Sequence, residues 1–431
     1  MSTTNLTHAL ETLSLHAGFD PSTDAFGSIN VPLYQNTAYA FPNSKYAADL
    51  FALKIGGLIY TRLNNPTTGI LENRIAAIEG GIGAVATSCG QSAIATALLS
   101  LLVSGDHIVA SGSLYGGTFN LLSHTLPRFG ITTTFVDAND PEAVRAAIKP
   151  ETKVVFAEVV GNPRLDFVDI PRLAKVAHEA GLPLFADNTC TLGLYRPLEE
   201  GADVEFLSLT KIAAGDGSTL GGAIIDSGKF DWSKGLFPQL VSEDPSYHGI
   251  KFAEAFGSAA FIFWLVAVGL RDFGACISPF NSAQLIKSLE TLKIRVEQHS
   301  KNALEIARWL ENHPLVEWVR YPKLPSHEAY ALANEKLTRG GGVIVTFAPK
   351  GGYEAAKKVA ESTKLFKLVA NFGDSKSLIV HSASTTHAQL SKEDLVKAGV
   401  TEDLIRLSIG LEKTEDLKQD LDQALRAAQD E

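Results

Sequence analysis

Between residues 83 and 226 short apolar runs alternate with stretches in which apolar side chains return every three or four positions. The runs at 84–88, 108–111, 132–136, 154–158, 182–187, 205–209 and 222–225 read as strands, and helical spacing fills 91–102, 141–148 and 170–180. This rhythm predicts a mostly parallel sheet, because parallel neighbours need crossovers and the crossover helices cover both faces. Ligands of such sheets gather at the carboxyl ends of the strands, where Ser88, Glu158, Asp187 and Lys211 fall.

The pattern changes in the second half. Residues 282–312 form one amphipathic stretch, with Leu285, Leu289, Leu292, Val296, Ala303, Ala307 and Leu310 near helical spacing, and it predicts a single long helix ended by His313-Pro314. Strands at 317–321, 342–347, 378–381 and 404–409 follow, with helices at 353–362, 392–398 and 414–428. The expected organisation is an N-terminal arm (1–65), a larger α/β domain (66–275) and a smaller α/β domain (276–431), packed tightly because no Gly/Ser-rich linker separates them.

Composition narrows the function. At 431 residues the chain is long enough for two domains, and 38 Lys plus Arg against 48 Asp plus Glu leave a net charge of −10. That charge offers nothing to nucleic acid or an anionic membrane, so a small molecule is the expected partner. Cys89, Cys190 and Cys276 have no CxxC spacing and an odd count, which points to a reducing compartment. The N-terminal residues lack the apolar run of a signal peptide and the arginines of a transit peptide, so the cytoplasm is expected. The most apolar stretch, 258–270, has 13 residues, fewer than the roughly 20 that span a bilayer, and is read as a core helix or a subunit contact. Eleven histidines show no HxxxH or Cys/His cluster, so no metal is assigned.

The chemistry centres on two strand ends. The apolar run 206–209 leads through Thr210 to Lys211 in a Gly-rich loop, and 24 residues earlier another apolar run ends on Asp187. A Schiff-base lysine and a carboxylate that keeps a pyridine nitrogen protonated suit pyridoxal phosphate. The same two residues also suit a buried structural ion pair, and alone they leave that reading open. Ser88-Cys89-Gly90-Gln91 sits at a strand-to-helix turn whose free N–H groups suit a phosphate, as well as an ordinary βα turn. No GxGxxG or GxxxxGK[ST] supports a nucleotide-binding module.

Tyr60-Thr61-Arg62-Leu63-Asn64-Asn65-Pro66-Thr67, Ser88-Cys89-Gly90-Gln91-Ser92-Ala93, Ser113-Leu114-Tyr115-Gly116-Gly117-Thr118 and Arg406-Leu407-Ser408-Ile409-Gly410-Leu411-Glu412 bracket the Asp187/Lys211 pair in order. With these motifs the chain resembles the Cys/Met-metabolism family of pyridoxal-phosphate enzymes, from about Glu11 to Ala424. It is most similar to the O-acetylhomoserine sulfhydrylase branch through Leu15-His16-Ala17-Gly18, Glu290-Thr291-Leu292 and Ser384-Thr385-Thr386-His387.

The resemblance implies a fold type I (aspartate aminotransferase-like) architecture with pyridoxal 5'-phosphate on Lys211. It further implies that Asp187 holds the ring nitrogen and that Tyr115 stacks on the ring and moves protons. Gly90, Gln91, Ser208 and Thr210 would hold the phosphate, with Tyr60 and Arg62 reaching it from a neighbouring subunit in a dimer or tetramer. Arg406 would grip the substrate carboxylate, helped by Asn162 and Ser377. Taken alone, Tyr115 also reads as a core aromatic, Arg62 as a surface residue, Asn162 as a turn cap and Ser377 as part of a solvated loop.

The implied reaction is γ-replacement on O-acetyl-L-homoserine, an amino-acid ester, with acetate leaving and sulfide or a thiol entering as the second substrate. The chain departs from the branch beside the lysine, where Lys-(Tyr/Phe)-Ile-Gly-Gly-His-Gly is usual and Lys211-Ile212-Ala213-Ala214-Gly215-Asp216-Gly217 stands. Ile212, Ala213 and Asp216 are therefore specificity candidates. They raise the alternative of a carbon or amine nucleophile, such as a β-keto acid, on the same electrophile. A γ-lyase or an inactive cofactor-binding interaction protein completes the alternatives.

Overall fold

The computed structural model describes residues 8–386, 388 and 400–429. Its larger sheet has seven strands: β1 (Gly83–Thr87), β2 (His107–Ser111), β3 (Thr132–Val136), β4 (Thr152–Glu158), β5 (Leu184–Asp187), β6 (Val204–Leu207) and β7 (Gly222–Asp226). They lie in the order β1-β7-β6-β5-β4-β2-β3, with β7 antiparallel to both neighbours and the other pairs parallel. The segment 208–221 contains no helix to serve as a crossover, so β7 can only return beside β6 in the opposite direction. That return loop carries Lys211.

Both faces of this sheet are covered. Phe185 packs on one side while its neighbours Leu184 and Ala186 pack on the other, as strand alternation requires. Helices Pro66–Glu79 and Ile170–Glu179 supply Leu71, Ile75, Ile78 and Leu173 to one face. Helix Gly90–Leu101 and the helical run Phe252–Phe273 supply Ile94, Leu98, Phe261 and Trp264 to the other. Phe185 has no exposed surface, and truncating such a side chain to Ala costs about 3–5 kcal/mol.

The smaller sheet comprises β8 (Val316–Arg320), β9 (Ile344–Pro349), β10 (Lys367–Leu368), β11 (Leu378–His381) and β12 (Ile405–Ser408), ordered β10-β11-β12-β9-β8. Only β10 and β11 pair in parallel. Helices Leu292–Glu311, Gly352–Ser362 and Thr414–Ala427 close it through Ile306, Leu310, Val359, Leu417 and Leu421.

Two expectations are corrected. The single helix over 282–312 is two helices, Pro279–Leu289 and Leu292–Glu311. The carbonyl of Ser288 accepts from Thr291 N at 3.3 Å, an i+3 bond that tightens the end of the first helix, and also from Thr291 Oγ1 at 3.2 Å and Arg295 Nη2 at 2.9 Å. The apolar stretch read as 13 residues lies inside a helical run of 22 residues, long and apolar enough by length and composition to cross a membrane. In the fold this run packs on the sheet, and Trp264 Nε1 donates to the Ser100 carbonyl at 2.8 Å. The expected helix at 392–398, and His387 of the Ser-Thr-Thr-His motif, lie outside the described residues.

Candidate active site

The carboxyl ends of β1, β4, β5 and β6 open into a cavity of about 480 Å³, roofed by residues 370–372 and Arg406 of the smaller domain. Lys211, Asp187, Tyr115, Gly90, Gln91, Ser208, Thr210, Asn162 and Arg406 all line it.

One end is built from the start of helix Gly90–Leu101. Cys89 caps it, with its sulfur accepting from Ser92 N at 3.4 Å while its own N–H donates to Ser92 Oγ at 3.0 Å. The cap leaves the N–H groups of Gly90 and Gln91 directed outward at the positive end of the helix dipole. A Cβ at Gly90 would lie 2.6 Å from Ser208 Cβ and 2.9 Å from Ser208 Cα, so glycine lets the helix start close against the end of β6. The Thr210 hydroxyl, 3.2 Å from the Gly221 carbonyl, stands on the same rim. This end suits an oxyanion of the phosphate kind.

The floor carries two carboxyl groups. Glu158 and Asp187 are register partners on the parallel strands β4 and β5, so their side chains emerge side by side. Asp187 Oδ1 accepts from Thr189 N at 2.9 Å, and burial raises its pKa above the ordinary carboxylate range. Burial, and then Asp187 itself, pushes Glu158 well above that range. Glu158 Oε2 accepts from the backbone N–H of Tyr115 at 2.6 Å, which fixes the base of the tyrosine. A Cβ at Gly117 would lie 2.5 Å from Tyr115 Cε1, so Gly117 is what allows the ring to lie over the helix that follows. That ring is 52% exposed, unlike a core aromatic.

Lys211 closes the opposite side. Its Nζ donates to Asn371 Oδ1 at 2.7 Å and lies 5.3 Å from the centre of the Phe372 ring. Burial, then the charge of Arg406, lowers its pKa to about 8. At pH 7 about a tenth of the amine is therefore neutral and nucleophilic, far more than for an ordinary lysine. No Lys211–Asp187 ion pair forms among the described residues, so the structural-pair reading of these two does not apply.

Arg406, on β12, is 8% exposed. Its Nη1 donates to Asn162 Oδ1 at 3.1 Å and its Nη2 to the Asn371 carbonyl at 3.0 Å, while Nε is buried without a partner among the described residues. A buried guanidinium held by neutral oxygens, with no carboxylate partner among the described residues, is matched to an anion from outside. Asn162 thus orients the guanidinium rather than capping a turn.

Other candidates stand apart. Ser377 is fully buried, neither solvated nor in the cavity: its N–H and Oγ donate to Glu412 at 2.7 and 2.8 Å, and its Oγ accepts from Gly410 N at 2.8 Å. Ile212 and Ala213 are buried beneath the lysine turn, and Arg295 holds their carbonyls. Asp216 faces solvent and closes a local turn, accepting from Ser218 N at 3.0 Å and Ser218 Oγ at 2.7 Å. None of these four lines the cavity, so Ile212, Ala213 and Asp216 do not face the space where a nucleophile would enter. Tyr60 and Arg62 also lie off the cavity of their own chain: Arg62 Nη1 donates to the Arg271 carbonyl and stacks 5.8 Å from the Tyr60 ring.

Glu158 as the anchor of Tyr115, and Asn371 with Phe372 beside Lys211, were not singled out from sequence. Asn371 sits in a turn with Gly373 at φ +76°, a signal of loop geometry but not of contact with a lysine 160 residues away.

A family model described as Cys/Met metabolism PLP-dependent enzyme matches residues 11–426. An O-acetyl-L-homoserine sulfhydrylase of Leptospira meyeri is 49% identical over 426 residues, 96% of each chain. A homocysteine synthase of Schizosaccharomyces pombe is 46% identical over 422 residues, 97% of this chain and 98% of that one. Among solved structures, a Campylobacter jejuni protein described as an O-acetylhomoserine (thiol)-lyase, which contains a pyridoxyl-lysine monophosphate, superposes with a TM-score of 0.94. It is 40% identical and covers 97% of this chain and 100% of its own.

Proposed function

The chain belongs to the Cys/Met-metabolism family of pyridoxal-phosphate-dependent enzymes, and on that premise we propose that it performs γ-replacement on O-acetyl-L-homoserine, releasing acetate and adding sulfide. The cavity fits the cofactor. The open helix start suits its phosphate, the half-buried Asp187 on the cavity floor suits a protonated ring nitrogen, and the depressed pKa of Lys211 suits attack on an aldehyde.

When bound, pyridoxal phosphate supplies an aldehyde and an electron-withdrawing ring that stabilises negative charge at the substrate α-carbon. The protein supplies the rest. The N–H groups of Gly90 and Gln91, with Ser208 and Thr210, would hold the phosphate. Asp187 would hold the proton on the ring nitrogen, its basicity raised by burial. Tyr115 would cover the ring. Arg406 takes the substrate α-carboxylate in a fork, and Asn162 keeps that fork oriented. Lys211 Nζ, at the side of the cavity that faces the substrate, would be the base that moves the proton at Cα.

The carrying observation is the convergence on one cavity of a nucleophilic amine, a half-buried acid, an oxyanion cradle and an arginine that meets no protein anion among the described residues. We also read the working form as a dimer or tetramer in which Tyr60 and Arg62 complete a neighbour's phosphate site. The exposed apolar arm, with Phe26 at 95% and Ile29 at 81% exposure, supports this reading. Incubating loaded protein and O-acetyl-L-homoserine with sulfide, methanethiol or a β-keto acid tests the reaction. Homocysteine with one acetate per turnover is expected as the fastest product, and preference for the β-keto acid would reject sulfide as the nucleophile.

A further inference from the structure

Arg295, His299 and Asn302 stand four and three residues apart on the helix Leu292–Glu311, which places them in one row along it. Each points its donors at backbone carbonyls. Arg295 Nη1 reaches the Ile212 carbonyl at 2.6 Å and Nη2 the Ala213 carbonyl at 3.1 Å. These carbonyls belong to the turn that starts at Lys211 and is closed by Gly215 N on the Lys211 carbonyl at 2.9 Å. His299 Nδ1 lies 2.7 Å from the Ile409 carbonyl, and Asn302 Nδ2 lies 3.0 Å from the carbonyls of both Gly410 and Glu412. Ile409 and Gly410 directly follow β12, the strand that carries Arg406.

A single helix row therefore holds the lysine turn of the larger sheet and the arginine strand of the smaller one. Two further links close the ring: Ser375 N donates to the Gly215 carbonyl at 2.8 Å, and Leu411 N to the Ser375 carbonyl at 2.8 Å. Above the helix, Asn371 spans the same pair, accepting from Lys211 Nζ and giving its carbonyl to Arg406.

Plain packing does not require this chemistry. All of Arg295's hydrogen bonds go to neutral oxygens, on Ile212, Ala213, Ser288 and Thr291. Burying a guanidinium that way costs free energy that an apolar side chain would not. Directional donors are worth that cost where the carbonyls must be held in place.

We propose that this row sets the separation of Lys211 from Arg406, and hence of the cofactor amine from the substrate carboxylate, with Arg295 positioning the lysine and Asn302, beside His299, positioning the arginine. The inference rests on the functional reading of Lys211 and Arg406 given above.

Because the row has two ends, its variants should have two signatures. In loaded protein, Arg295→Lys is expected to move the pH midpoint of the visible absorbance by about one unit. It should lower kcat about tenfold and leave the Kd of L-norleucine, an amino acid without a leaving group, within about twofold. Asn302→Leu should leave the pH midpoint in place and raise that Kd, together with KM for the amino-acid substrate, about tenfold. If Arg295→Lys does not fold, Arg295→Gln, which keeps a donor toward the turn, is measured in its place. The same signature from both ends, or no change from either, overturns the proposal. Norleucine binding and the absorbance titration need no turnover, so a parent protein inactive on O-acetyl-L-homoserine would reject the substrate reading while the row is still decided.

Discussion

Replacing Glu158 by Gln separates two descriptions of the cavity floor. Glu158 and Asp187 are paired in register on adjacent parallel strands, whose axes lie about 4.8 Å apart. At about 5 Å and an effective dielectric of 20, two carboxylates repel by about 3 kcal/mol, equivalent to roughly two pKa units. Asp187 must be ionised to hold a ring proton, so Glu158 is expected to remain a neutral acid, in line with its strongly raised pKa. Gln is then nearly isosteric and isoelectronic with it, and its carbonyl can still accept from Tyr115 N. The pH titration of the loaded protein's visible absorbance should stay within about 0.3 units of the parent, and kcat within about threefold. Glu158→Ala keeps the neutral charge but leaves the Tyr115 N–H without its acceptor, a loss of about 1–3 kcal/mol that should appear as a kcat reduced by about tenfold or more. A shift of a full unit in the Gln variant would show that Glu158 carries charge, and the reasoning would fail.

Loading of cofactor-free protein should accelerate with pH and level off above about 8, because the neutral amine of Lys211 is the nucleophile and its pKa is lowered to about 8; stopped-flow absorbance checks this, and a plateau near the ordinary lysine value of about 10.4 would contradict it. Gly90→Ala should weaken cofactor binding by roughly tenfold or more, since the added Cβ meets Ser208 backbone and side chain at 2.9 and 2.6 Å, and equilibrium dialysis against pyridoxal phosphate measures it. Mixed oligomers of Arg62→Ala and Lys211→Ala chains should regain activity that neither variant has alone; no recovery after verified subunit exchange would place Arg62 outside a neighbour's site.

The central strands of the larger sheet, such as β2, were legible as apolar runs buried on both faces, the partly exposed edge strand β3 as a β-branched run, and β11 of the smaller sheet falls where the pattern puts it. Periodicity could not reveal the break before Leu292, where Thr291 and Arg295 both donate to the Ser288 carbonyl. Lys211, Asp187 and Gly90 announced themselves by lying at strand ends or a helix start, positions that chain-local reasoning can reach. Asn371 and the row of Arg295, His299 and Asn302 did not, because their meaning lies in contacts with segments more than 80 residues distant. Ser377 and Asp216 illustrate the converse. The resemblance marked Ser377 for the substrate and the lysine loop marked Asp216 for specificity, yet Glu412 claims the first and a local turn with Ser218 claims the second.

The central claim is that Lys211 is the amine that takes up the cofactor. Loaded protein reduced with borohydride, digested and mapped by mass spectrometry tests it directly. The account predicts one phosphopyridoxyl group per chain, on the peptide containing Lys211, with none in the Lys211→Ala variant. The label on another lysine, or its absence from the parent, would contradict the account.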